Sequence, residues 1–277
     1  MAIILALAAA AFSGTGDFFG GLASRTDRVL SVVLVNHASG LLVVLAIGPF
    51  FEGSLDGSTM VWGSLAGLSG AFAVVALYTG FSRSSIAVVS PIAAVGGGVW
   101  PALWEIAGGD VPTPIVGAGI LIGLVAIWVI SSGGHLHEAD DVRSGVLFGM
   151  LAGLGFGALL ICLSLAPESG GIWALVPARG VGGLAIVAIA LARRQALVPS
   201  RRGLAAGSGA GVLTLFGNAA FIIAATKGSL AVVSVLAAMF PAATVILARI
   251  VLAERLTPQR QIGLALALVA VGLVAGG

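Results

Sequence analysis

Three side chains that carry charge, or can acquire it, interrupt otherwise apolar stretches of this sequence. They are Asp17 in ALAAAAFSGTGDFFGGLA, His37 in LSVVLVNHASGLLVVLAI and Arg179 in WALVPARGVGGLAIVAIALA. A carboxylate and an imidazole can bind and release a proton or hold an ammonium group. A guanidinium can clamp a carboxylate or phosphate in bidentate fashion. Deep in an apolar span each charge costs about 2.5–3.5 kcal/mol, so each needs a partner or a purpose. Helical spacing puts Asp17 and His37 at similar depth on consecutive, antiparallel spans, where an Asp–His contact is sterically possible. The structural alternative for Asp17 is a hydrogen bond to nearby serines or to a helix N-terminus. For Arg179 it is capture by helix-end carbonyls. Asn218 is the most central uncharged polar group of the second half, suited equally to substrate contact or to joining helices. Tyr78 and Trp100 are aromatic candidates for a cavity wall, although aromatic residues in such runs mostly pack.

The elements that must position these groups are membrane spans. The chain is 277 residues long, 59% hydrophobic and 9% charged, with a mean hydropathy of +1.15. No water-facing surface tolerates that balance. Apolar runs of about 20 residues, the length that crosses a bilayer, recur throughout. They are continuous rather than alternating, which excludes a β-barrel. Ten spans are expected, near residues 3–23, 30–50, 60–81, 86–106, 115–132, 145–165, 172–191, 203–226, 230–252 and 261–275. The first, lacking a basic leader, reads as an uncleaved helix. Cys162 is the single cysteine and lies in a span, which excludes an intramolecular disulfide.

The chain is also internally repeated. Ser85–Ala126 aligns without a gap on Ser229–Ala270 at an offset of 144 residues, with 15 of 42 positions identical. Each repeat holds five spans, and an odd number turns the second copy upside down relative to the first. The expected fold is therefore an all-α polytopic membrane protein built from two inverted five-helix repeats. Residues 1–132 form the first, 133–143 a polar loop, and 144–277 the second. Loops after odd-numbered spans hold Arg25, Arg28, Arg83, Arg143, Arg193, Arg194, Arg201, Arg202, Arg255 and Arg260. Loops after even-numbered spans hold only Lys227. The positive-inside rule then places the odd loops in the cytoplasm and both termini outside.

Glycine stripes mark packing faces. Gly63-xxx-Gly67 and its copy Gly207-xxx-Gly211 lie 144 residues apart, and Gly16-xxx-Gly20 offers another close approach. The last stripe also nearly matches a dinucleotide fingerprint, but the spacing is wrong and no strand precedes it. Pro91 and Pro101 in the fourth span and Pro241 in the ninth remove backbone donors and should bend their helices, either for packing or to line a pathway. His135, His137 and Glu138 have metal-ligand types but sit in the inter-repeat loop without an enclosing frame, so no metal and no other cofactor is expected.

These features together resemble the EamA family of the drug/metabolite transporter superfamily. The likeness is carried by Phe12 to Arg25, by SIAVVSPIAAV from Ser85 and by MFPAATVILARIVLAERLTPQRQIG from Met239. The first copy departs from the second at Asp110-Val111-Pro112-Thr113-Pro114, where the second has Glu254-Arg255-Leu256-Thr257-Pro258. The resemblance implies export or exchange of a small metabolite, amino acid or drug, in a bacterial plasma (inner) membrane. It does not name the substrate.

The expected function is secondary transport by alternating access, with a small-molecule substrate, the lipid bilayer as surroundings and a proton as one possible coupling ion. Nucleic acid has no place in it. No Walker-type motif is present, so ATP is not the direct driver. The alternatives are a membrane scaffold or a lipid-modifying enzyme without transport activity. Such an enzyme needs paired carboxylates, a Ser/His or Cys/His set, or a metal cage at membrane depth. Only Asp17 and His37 approach that, so the chain is expected not to be an enzyme. Monomer and homodimer are both compatible with the sequence.

Overall fold

The computed structural model describes the chain apart from residues 108–112, 133–140, 226, 228–236, 238–239, 254–256 and 277. Ten α-helices run through the described residues. They are α1 (Ala2–Ala23), α2 (Val29–Ile47), α3 (Gly57–Arg83), α4 (Ile86–Ala107), α5 (Pro114–Ser132), α6 (Val142–Ser164), α7 (Leu175–Ala192), α8 (Arg201–Ala225), α9 (Phe240–Val251) and α10 (Pro258–Gly276). Short 3-10 turns at Gly48–Phe50 and Glu168–Ala174 follow α2 and precede α7. Among the described residues α1, α2, α3, α6, α7 and α8 are long and apolar enough to cross a membrane. Ile86–Gly97, Gly117–Ala126, Phe240–Val251 and Gln261–Ala270 are shorter apolar stretches of the other four. The protein is an integral membrane protein. Its outer surface is as apolar as its interior, with Leu42, Leu184, Trp128 and Ile250 all largely exposed.

Local chemistry starts these helices where expected. The Asp56 carboxylate accepts the Thr59 N–H at 2.7 Å and caps α3. Asp141 accepts the Ser144 N–H at 3.1 Å and caps α6. The Ser200 hydroxyl oxygen accepts the Gly203 N–H at 3.0 Å and caps α8. Each satisfies one of the orphan donors of a first turn. At the other end of α7 the chain leaves through Arg194 in the left-handed region, φ 51. The Gln195 N–H returns there to the Ala190 carbonyl at 2.8 Å, closing a Schellman-type turn.

The halves interleave rather than sit side by side. α1 packs on α8 and α9, and α6 packs on α3 and α4. Similarly α2 packs on α7 and α8, while α7 packs on α2 and α3. α5 and α10 pair with each other at the edge. Adding five to a helix number, or subtracting it, turns each of these contacts into another of them or, for α2 with α7 and α5 with α10, into itself. The main apolar cluster draws Phe18, Val32, Val33, Leu77, Phe81, Ile86 and Ile186 from both halves.

The glycines explain how helices come this close. A Cβ on Gly67 would run into the Ala178 backbone of α7, and one on Gly63 would meet Pro177 and the Ala174 carbonyl. Gly207 and Gly211 meet α2 in the same way, at Val35 and at Ser39 with Asn36. The stripe on α1 behaves differently. Gly16 faces Thr214 and Ala210 of α8, whereas Gly20 and Gly21 face the Tyr78 and Phe81 rings of α3. One stripe thus serves two neighbours. Pro91 is buried within α4 and Pro241 is buried in α9, and α4 continues through both Pro91 and Pro101 as one helix.

Candidate functional site

Arg179 sits on the buried face of α7, in the first turn and a half, and is 8% exposed. Its Nη1 donates to Asn36 Oδ1 of α2 at 2.8 Å, and its Nη2 donates to Thr214 Oγ1 of α8 at 3.2 Å. Its aliphatic and guanidinium atoms pass over Gly40, where a Cβ would stand only 3.2–3.3 Å away. Glycine at 40 keeps that passage open. The Asn36 amide is oriented by two bonds at once, because its Nδ2 also donates to the Tyr78 hydroxyl of α3 at 3.3 Å. Thr214, Arg179, Asn36 and Tyr78 therefore form one hydrogen-bonded chain across four helices, two from each half. Its Asn36–Tyr78 and Arg179–Asn36 links are buried and its Arg179–Thr214 link partly so, and burial strengthens such a chain.

Asp17 completes the arrangement without joining the chain. It is 6% exposed, on the glycine-lined face of α1 and one turn before Gly20, over which the Tyr78 ring lies. Among the described residues nothing donates a hydrogen bond to it. It feels the Arg179 charge through space, and Tyr78 lies within the field of both. No ion pair within 4.0 Å joins Asp17 to Arg179. A buried carboxylate and a buried guanidinium are thus held near each other, attracted but not neutralised by contact. A group carrying charge could exchange with either.

His37 lies outside the chain. Its Nδ1 faces the Val33 carbonyl at 3.0 Å, so that nitrogen carries the proton and donates it one turn back along α2. Nε2 is turned toward Gly182 of α7. The Asp17–His37 proximity considered from sequence takes another form: each group interacts with Arg179, and they share no hydrogen bond. Asn218 is half-buried on α8, one turn beyond Thr214, and makes no hydrogen bond among the described residues. Trp100 is 43% exposed on α4 and belongs to the outer surface. Tyr78, by contrast, is fully buried within the chain of polar groups. His135, His137 and Glu138 lie outside the described residues. Among those described, no group of three or more metal-ligating side chains gathers.

Asn36, Thr214 and Gly40 are the members that the sequence did not single out. Two signals pointed to them. Thr214 continues the Gly207, Gly211 stripe at helical spacing. The repeat offset maps Arg179 onto Val35, next to Asn36, and the bond between 36 and 179 spans 143 residues.

A protein solved as a crystal structure has the same fold, at a TM-score of 0.58 and 16% identity over 99% of this chain and 97% of its own. That likeness concerns the fold alone. No functionally curated protein matches the chain. The sequence itself places it further: residues 143–276 match the EamA-like transporter family, and over that half the chain belongs to the EamA-like transporter family.

Proposed function

We propose that this protein is a secondary transporter that carries a small organic solute across a membrane by alternating access between two inverted five-helix halves. The observation that carries this reading is the Thr214–Arg179–Asn36–Tyr78 chain beside Asp17, which has no hydrogen-bond donor among the described residues. Both halves contribute to it, and it lies within an apolar bundle where polar groups are costly unless used. The family match over residues 143–276 supports transport rather than catalysis.

The division into halves, 1–132 and 144–277, is supported by the exchange of helix contacts between equivalent elements. The turn after α1 meets the turn before α8, while the turn after α6 meets the turn before α3. Because α2 links the turn after α1 to the turn before α3, those two contacts lie at opposite ends of the bundle. Equivalent turns at opposite ends are what inversion requires. Arg179 is the group for a carboxylate or phosphate on the solute, and Asp17 the group for an ammonium or a coupling proton. The direction proposed is outward, and an arginine-rich end in the cytoplasm of a bacterial inner membrane fits the charge distribution.

The test is purified protein in liposomes, offered a panel of labelled amino acids, organic acids, sugar phosphates and cationic drugs, with and without a pH gradient. Saturable uptake of at least one class, abolished by Arg179→Ala, is the expected result. No saturable flux for any class at verified insertion favours the scaffold alternative.

A further inference from the structure

Each end of the bundle is fastened by a hydrogen-bonded contact between the two halves, and the two contacts occupy matching places in the repeat. At the arginine-rich end, Asp27 in the turn after α1 accepts the Ser200 N–H on Oδ1 and the Ser200 hydroxyl on Oδ2, both at 2.7 Å. Ser200 in turn caps α8. At the opposite end, Asp56 caps α3 and its Oδ2 accepts the Ser169 hydroxyl at 3.4 Å, while the Ser54 N–H reaches the Ser169 carbonyl at 2.9 Å. The two capping residues, Asp56 and Ser200, are 144 residues apart, the offset of the internal repeat. Each contact therefore joins a carboxylate to a serine, one of them a helix cap and the other on the facing turn.

We propose that these contacts are paired latches that set which end of the bundle opens toward the polar chain, with Asp27 as the residue that holds the arginine-rich end shut. This rests on the alternating-access reading above. A latch between moving halves must be strong enough to favour one closed end and weak enough to break on a transport cycle. Charge-assisted hydrogen bonds between partly exposed groups meet both needs, since water can replace them when they part. The two ends are unequal. Asp27 receives two charge-assisted bonds of 2.7 Å, whereas across the other end one such bond of 3.4 Å to Asp56 stands beside the neutral Ser54–Ser169 backbone bond, so the end bearing Asp56 opens first. Gly203 belongs to the same device, because a Cβ there would occupy the place of the Asp27 carboxylate. The Arg28 guanidinium and the Ser31 hydroxyl add bonds to the Ala196 carbonyl at 3.5 and 3.3 Å on the same side.

The experiment reads access rather than flux, so it needs no known solute. In a Cys162→Ser background, an Asn218→Cys reporter one turn from Thr214 is labelled with a membrane-impermeant maleimide in sealed vesicles of each orientation. Asp27→Ala should raise labelling from the arginine-rich face about tenfold, the shift expected when a charge-assisted pair is lost, and lower or leave unchanged labelling from the other face. Asp27→Asn, which still accepts one bond, should fall between. Ser169→Ala should give the mirrored result with a smaller change. An oxidised Asp27→Cys, Ser200→Cys pair should close the arginine-rich face to the reagent. Wild-type labelling in Asp27→Ala, or continued access through the cross-linked end, overturns the latch and leaves the transport reading standing. An equal rise from both faces is a leak, and it overturns the latch and alternating access together.

Discussion

Arg179 is held by two neutral oxygens on two different helices, and that geometry decides how substitutions there behave. A lysine ammonium is a point donor on a flexible stem and cannot reproduce both bonds, Asn36 at 2.8 Å and Thr214 at 3.2 Å. Arg179→Lys is therefore expected to retain part of any flux of an anionic solute and Arg179→Ala to lose most of it. Both should melt lower in detergent, by about 1–3 kcal/mol for the alanine, because Asn36 Oδ1 is left buried without its donor. Flux at matched membrane abundance and a melting curve for each variant check the two halves of that statement. Asp17 differs, because none of the described residues donates to it and so none loses a partner when it is neutralised. Asp17→Asn, cheaper to bury, should insert and melt like the wild type, yet lose flux driven by a pH gradient while solute-for-solute exchange persists. Undiminished pH-driven flux in that variant would reduce Asp17 to packing.

Helix contacts in this protein are set by missing side chains, and glycines that look alike in sequence differ by what they face. Gly67→Ala puts a methyl group against the Ala178 backbone, which cannot move aside, and should destabilise by about 1–3 kcal/mol. Gly209→Ala meets nothing within 4 Å and should be neutral or stabilising by about 0.5–1 kcal/mol through helix propensity. Melting both in one detergent separates a contact glycine from an idle one. A cap is tested differently. The Thr59 N–H, with the Ser169 hydroxyl, holds the Asp56 carboxyl below its ordinary value of 3.8. A lowered folded value means the charged cap stabilises the fold above pH 3.8 and fades as pH falls through the lower folded value. The melting difference between wild type and Asp56→Asn should accordingly be steady near neutrality and shrink below about pH 4. A difference constant down to pH 3 would remove charge from the account of this cap.

At this scale the sequence was readable in some places and mute in others, for physical reasons. Apolar length announces spans, and a shared offset announces Gly63, Gly67, Gly207 and Gly211 as packing faces. The split duty of Gly16 and Gly20 was hidden, because spacing tells which face a glycine occupies but not how many helices come to it. Asp17, His37 and Arg179 stood out because charge is rare in apolar runs. Asn36 and Thr214 did not, because a neutral polar side chain in a helix can bond its own backbone, as Ser39 does to the Val35 carbonyl at 2.8 Å. Only the meeting of α2, α7 and α8 turns them outward into one chain. Trp100 drew notice by its size, which says nothing about the direction it faces.

For the molecule as a whole, the asymmetry of charge has become a matter of space rather than order. The Arg25 Nε donates to the Phe81 carbonyl at 3.1 Å, and the Asp141 N–H reaches the Arg83 carbonyl at 3.4 Å. With the Asp27–Ser200 contact, these bonds bring the turns after α1, α3 and α7, and the start of α6, to one end. The opposite end carries Glu52, Asp56 and Glu168. Reporter fusions inserted in the 193–202 turn should consequently report cytoplasm, and a fusion after Gly277 the outside. A cytoplasmic signal from the C-terminal fusion would mean that the arginine-rich end does not govern insertion.

The interleaving of the halves has a consequence for how the protein is made. Asn36 waits 143 residues of synthesis for Arg179, and the Gly14 carbonyl waits 230 for the Thr244 hydroxyl. At ribosomal speeds of about 5–20 residues per second, the first of these delays lasts roughly 7–30 s. Through that interval the nascent first half stands in lipid with its polar groups and bare glycine faces uncovered. It is then a client for insertion chaperones and a target for membrane proteases, however stable the finished bundle. A message truncated before α6 should accordingly yield a short-lived product, and supplying the missing half as a second polypeptide should lengthen its lifetime in a pulse-chase.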